Sequence, residues 1–194
     1  MKAIVIGAGT IGGAVAGALE AGGHEVLRAS RRGPLRVDMA DPESIDALLE
    51  SVGPVDAIVC CAASGQLMPL TEPSDAEFTL GLQGKLLGQV TLVRRALKHL
   101  RDGGSITLTS GTFREPTPGG SFGALVNAGL DAFVEAAAIE LPRGIRLNAV
   151  SPGWVRETLA LLGMEETPGI PATEVATRYV EAVETDVQGK RIAA

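Results

Sequence analysis

Lys2-Ala3-Ile4-Val5-Ile6-Gly7-Ala8-Gly9-Thr10-Ile11-Gly12 opens the chain with an apolar run, a glycine-rich turn and the start of a segment, 11–21, with helical patterning. Glycine at 7 permits a tight turn, glycine at 9 lets backbone approach a pyrophosphate, and glycine at 12 lets helix and strand pack closely. The helix N-terminus then faces the anion. A GxGxxG placed between a strand and a helix predicts a dinucleotide site built from Gly7, Gly9, Thr10, Ile11 and Gly12. A merely structural turn is the alternative.

Outward from this turn, short β-like runs alternate with helical patterns to the end of the chain. Strands are expected over 3–6, 25–29, 35–37, 57–61, 105–109, 146–150 and 190–192, and helices over 11–21, 42–51, 82–100, 122–141 and 173–184. Asp41-Pro42 reads as an N-cap followed by proline at the first helical position. Such alternation implies an α/β fold in three layers: a doubly wound parallel sheet of about seven strands with helices on both faces, the Rossmann arrangement. The 194 residues are read as one domain, 1–194. Two loop-rich stretches, 112–120 and 162–171, should lie near the carboxyl edge of the sheet, where open α/β sheets bind ligands.

Composition narrows the function classes. A formal charge of −6 and a pI near 5.0 give no attraction for nucleic acid or anionic membrane. The first apolar run is too short for a signal peptide or a membrane span, so a cytoplasmic protein is expected. Cys60 and Cys61 are adjacent and should point to opposite sheet faces, which disfavours a metal site or a structural disulfide. His24, in a turn, and His99, near a helix end, form no catalytic or metal-ligand constellation.

At the end of the second strand an NAD site normally carries an acidic residue for the ribose hydroxyls. This chain has Ser30-Arg31-Arg32 there. Guanidinium groups bind a 2′-phosphate through paired charge-assisted hydrogen bonds, so NADP(H) is expected in preference to NAD(H). A solvated basic turn is the alternative reading of the two arginines.

These residues, with Val37-Asp38, Ser110 and Asn148-Ala149-Val150-Ser151-Pro152-Gly153, resemble the short-chain dehydrogenase/reductase family over essentially the whole chain. The resemblance implies an oxidoreductase acting on a small carbonyl or alcohol. It implies adenine contact at Asp38, cofactor contacts at Cys61, Ala62, Pro152, Gly153, Val155 and Thr158, and a homodimer or homotetramer through the helices at 82–100 and 122–141. Substrate would enter between 112–120 and 158–171, with Trp154 near the nicotinamide.

The family pattern also places a Tyr thirteen residues after Ser110 and a Lys four beyond it, where this chain has Gly123 and Asn127. Glycine has no side chain, and asparagine has no charge to depress a phenol pKa. Cys60-Cys61-Ala62-Ala63 replaces the usual Asn-Asn-Ala-Gly, and Lys85 stands where an Asn completes the tetrad. Ser110 and Lys85 are therefore the catalytic candidates: a hydroxyl that orients a carbonyl, and an ammonium that donates to it. Local backbone bonding by Ser110 and a snorkelling Lys85 are the plainer alternatives.

Tyr179, the only tyrosine, is expected in core or interface packing rather than as a substitute proton donor. Asn148 is expected to hold the cleft's backbone. Two competing functions stay open, a catalytically silent NADP(H) sensor or interaction protein, and a nucleotide-fold methyltransferase. Ser30-Arg31-Arg32 argues against the methyltransferase.

Overall fold

The computed structural model describes residues 1–62, 67–71, 73–79 and 81–194. Within them the order is β1 (Lys2–Ile6), α1 (Thr10–Ala21), β2 (Glu25–Ser30), β3 (Leu35–Arg36), α2 (Pro42–Val52), β4 (Val55–Cys60), α3 (Asp75–Phe78), a π turn (Leu82–Leu87), α4 (Gly88–Ala96) and β5 (Leu100–Thr109). There follow α5 (Ser121–Ala137) with a 3-10 turn (Ala138–Glu140), β6 (Arg146–Ser151), α6 (Arg156–Leu161), α7 (Ala172–Glu184) and β7 (Arg191–Ala193). All seven strands pair in parallel in the order β3-β2-β1-β4-β5-β6-β7. The doubly wound α/β architecture is therefore present. The order reverses beside β1, which puts the glycine turn at the point where such sheets bind ligands.

Strand periodicity splits the core into two layers. Ile4, Ile6, Ile58 and Cys60 face one layer with α2, α4 and α5, while Ala3, Val5, Ala57 and Val59 face the other with α1 and α7. Cys60 and Cys61 do fall on opposite faces. Burial raises both thiols, Cys60 to about 12, which keeps them un-ionised. Asp41 caps α2 by accepting from the Glu43 N–H at 2.9 Å, with Pro42 as the first helical residue.

The expected helix over 82–100 is interrupted. Its first part is the π turn, α4 ends at Ala96, and Leu100 already belongs to β5, paired with Val55. Gln89 explains the first departure, because its amide donates to the Lys85 carbonyl at 2.8 Å, where an uninterrupted helix would place the residue 89 backbone N–H. The second arises from pairing: Val55 N donates to His99 O, which recruits Leu100 into the sheet.

The Ser121–Glu140 helical run is long and apolar enough to cross a membrane by length and composition. It carries Asp131 and Glu135, however, and Val126, Asn127, Leu130 and Val134 are buried against the sheet.

Candidate active site

The turn between β1 and α1 requires glycine at two of its three motif positions because of the protein's own backbone. Gly7 has φ +102°, and a Cβ there would stand 2.6 Å from Ala62 N; a Cβ on Gly12 would stand 1.7 Å from Gly7 O. A Cβ on Gly9 would meet nothing within 4 Å, so this glycine borders open space, as a backbone-bound phosphate requires. Thr10 and Ile11 open α1, whose N-cap, Gly9, contributes no side chain.

From this turn a cleft of about 980 Å³ runs past Ser30, Arg31, Arg32 and Asp38 at one end, over Cys61 and Ala62, to Lys85 and Gly123 at the other. Its size suits a dinucleotide-scale ligand. Arg31 and Arg32 are exposed and make no ion pair among the described residues, whereas Arg28 is tied to Glu20 at 2.7 Å. Two unengaged guanidinium groups beside an open glycine turn form a donor set that fits a phosphorylated nucleotide. Asp38 is held in its loop: Oδ1 accepts from Ala40 N, and its own N–H donates to Ser44 Oγ.

Lys85 lies at the inner end of the cleft and reaches across it. Its Nζ donates to Asn127 Oδ1 at 2.7 Å and to the Ser110 carbonyl at 2.9 Å. The residue that replaces the expected lysine thus accepts a hydrogen bond from an amine delivered by the facing helical segment. Burial lowers the Lys85 pKa to about 8, although the negative charge of Asp131 opposes the fall. Gln89, buried, fixes the segment that carries the amine: Nε2 donates to the carbonyls of Lys85 and Thr109, and Oε1 accepts from Thr109 N at 2.9 Å.

Ser110 contributes differently from the sequence expectation. Its carbonyl meets Lys85, whereas its hydroxyl is buried without a hydrogen bond of ordinary geometry and does not line the cleft. The hydroxyl lies beside Asp131. Burial raises the Asp131 pKa, and the Ser110 hydroxyl, Arg191 and Lys85 draw it partway back.

The place where the family resemblance puts a phenol is covered. A Cβ on Gly123 would stand 3.3 Å from the ring of Phe113, and that ring packs edge-on against Trp154 with centroids 5.9 Å apart. Trp154 thus packs on the ring that covers Gly123, and neither aromatic lines the large cleft.

Pro152, Gly153, Val155 and Thr158 lie on the extension of β6 and on α6, outside the wall of the large cleft. Pro152 O accepts from Thr112 N, and Gly153 N donates to Ala194 O, so this segment is tied to the ends of β5 and β7. Asn148 departs from its expected role. Its amide donates to Val187 O and accepts from Lys190 N, which fixes the turn into β7 rather than the cleft. Tyr179 is fully buried, within 2.6 Å of Thr109 Oγ1. His24 bonds Glu184 at 2.8 Å, far from the cleft. Ala63 lies outside the described residues.

Three residues of this site escaped the sequence reading: Gln89, Phe113 and Asp131. Gln89 and Asp131 were accessible in principle, each standing four residues beyond a flagged position, Lys85 and Asn127. Phe113 sits in an irregular loop, where spacing carries no such signal.

Residues 14–185 match the family described as enoyl-(acyl carrier protein) reductase. The chain belongs to the short-chain dehydrogenase/reductase family. Its members bind a nicotinamide cofactor. L-xylulose reductase of Mesocricetus auratus is 30% identical over 178 residues, covering 81% of this chain and 73% of that protein. Glucose and ribitol dehydrogenase homolog 2 of Arabidopsis thaliana is 27% identical, and the match covers 68% of this chain and 48% of that protein, about half its length. Among solved structures, the protein lin1944 from Listeria innocua superposes with a TM-score of 0.94 at 38% identity, covering 100% of this chain and 99% of that one. A small-chain dehydrogenase in complex with NADPH gives 0.87 at 25% identity, covering 100% and 96%.

Proposed function

We propose that this short-chain dehydrogenase/reductase is an NADP(H)-dependent oxidoreductase that interconverts a small carbonyl compound and its alcohol, with Lys85 as the proton-donating group. One observation carries the reading: the Lys85 amine, held by two oxygen acceptors, ends a cleft whose opposite end presents two guanidinium groups that make no ion pair among the described residues. The cofactor, when bound, supplies or accepts the hydride. The protein's part is to bind it at Gly7, Gly9 and Gly12, to hold its 2′-phosphate with Ser30, Arg31 and Arg32, and to move a proton at Lys85 Nζ. In reduction the ammonium donates to the oxygen of the carbonyl being reduced; in oxidation the neutral amine accepts from the hydroxyl. Ser110 and Asn127 hold the amine through oxygen acceptors. The NADPH complex of the small-chain dehydrogenase supports the choice of cofactor.

Titration with NADPH and NADH, read through quenching of Trp154, tests the cofactor. Tighter NADPH binding that weakens as salt rises is the expected result. Equal affinity for the two would overturn the arginine assignment. Turnover of NADPH over a panel of small ketones, aldehydes and ketoses tests the chemistry.

A second reading, a silent NADP(H)-binding sensor, draws on Phe113, whose ring covers the place above Gly123. Tight NADPH binding with no turnover across the panel would favour it. The exposed apolar face of α5 and its 3-10 extension, with Leu125 60% and Ile139 89% exposed, supports a homodimer assembled through this helix. The acidic surface and the site's chemistry support a cytoplasmic protein with a small-molecule substrate and no nucleic-acid or membrane partner.

A further inference from the structure

A proton given up by Lys85 has to be replaced, and its two hydrogen-bond partners cannot replace it. Ser110 O and Asn127 Oδ1 only accept. Behind them a separate pocket of about 210 Å³ opens between residues 111–113 and α5, with Asn127, Asp131 and Arg191 in its wall. Asp131 stands one helical turn beyond Asn127. Its Oδ1 is buried without a hydrogen bond, and its Oδ2 is 3.8 Å from Arg191 Nε, an ion pair too long for a hydrogen bond. Ser110 joins the two charges, since its carbonyl accepts from Lys85 while its buried hydroxyl lies beside Asp131. Among the described residues Asp131 is the charged group whose field acts on Lys85, and Arg191 of β7 acts in turn on Asp131.

We propose that Asp131 is the counter-charge and proton-exchange partner of Lys85, and that the 210 Å³ pocket is the solvent side of that exchange. This rests on the reading of Lys85 as proton donor. After donation Lys85 is a neutral amine and Asp131 a carboxylate. A proton from solvent in the pocket adds to the carboxylate, passes inward past Ser110 to Nζ, and leaves an ammonium and a carboxylate, with no change in electron count. Asp131 touches no reacting atom and is a positioning residue. Its negative charge holds the Lys85 pKa above the value that burial alone would set.

Asp131→Asn removes the charge while keeping the side chain's size. NMR titration of the lysine ε-methylene signals in the free protein should place Lys85 near 8, and in Asp131→Asn lower by roughly half a unit or more. An unchanged Lys85 titration would overturn the proposal. In NADPH-dependent turnover, Asp131→Asn should lose roughly tenfold in rate and recover it as imidazole buffer is raised, with the wild type indifferent to buffer. A variant as fast as wild type and independent of buffer would also overturn it. Failure of the parent reading looks different: Lys85→Met would then leave turnover and its pH profile unchanged, whatever the NMR titration of Asp131→Asn shows.

Discussion

Arg31 and Arg32 are a case where residue type decided more than geometry could. Their position after β2 and their charge were readable directly, because the end of that strand is fixed by the pattern that builds the sheet. Replacing both with Ala should weaken NADPH binding by roughly 10- to 100-fold while leaving NADH within about twofold, measured by Trp154 quenching. Equal loss for both cofactors would mean that the two side chains support the loop and not the phosphate. Lys85 was readable only as a cation of uncertain direction. A side chain of four rotatable carbons can snorkel to solvent or turn inward, and only the facing acceptors on Asn127 and Ser110 settle which it does. The same limit applies to Ser110: sequence placed it at the end of β5, but which of its two oxygens meets the site depends on a rotamer that spacing does not encode.

At the scale of elements, the helical segments flanking the site show where periodicity stops being informative. Apolar spacing over 82–100 reads as one continuous helix, yet Gln89 places its side chain on the Lys85 carbonyl and the segment widens into a π turn. A hydrogen bond from a side chain into a helix ladder leaves no apolar signature, so the break was invisible in the pattern. Gln89→Leu should therefore act on chemistry through position. It removes the acceptor of the Thr109 N–H and a donor to the Lys85 and Thr109 carbonyls, costs about 1–3 kcal/mol in chemical denaturation, and lowers kcat with little change in NADPH affinity. Loss of NADPH affinity in step with kcat would show that the π turn shapes the whole cleft and not the amine alone. The N-cap at Asp41, by contrast, was legible because capping is local chemistry that needs no tertiary partner.

For the molecule as a whole, the alternation of strands and helices and the glycine turn sufficed to read the fold. The two-layer burial of β1 and β4 shows why: each strand is apolar on both faces, which only a sheet covered twice can satisfy. What lay beyond reading was the wiring between distant segments, such as Phe113 over Gly123 and Asp131 beside Ser110. The outward face of α5 is also a whole-molecule feature. Light scattering should give a dimer for the wild type, and Leu125→Asp together with Ile139→Asp should yield monomers of unchanged helicity; a monomeric wild type would remove the dimer from the account.

The charge of Lys85 connects fold to function most directly, and its sign can be worked through. Because burial lowers its pKa to about 8, the ammonium that the proposed reduction needs is present below that pH and lost above it, while the amine that the proposed oxidation needs gains in the same range. The decisive measurement is the pH dependence of NADPH-dependent carbonyl reduction by wild type and Lys85→Met. A wild-type rate that declines through about pH 8, with a loss of roughly 10²- to 10⁴-fold and of that decline in Lys85→Met, is the predicted result. A Lys85→Met enzyme that keeps both the rate and the profile of wild type would contradict it.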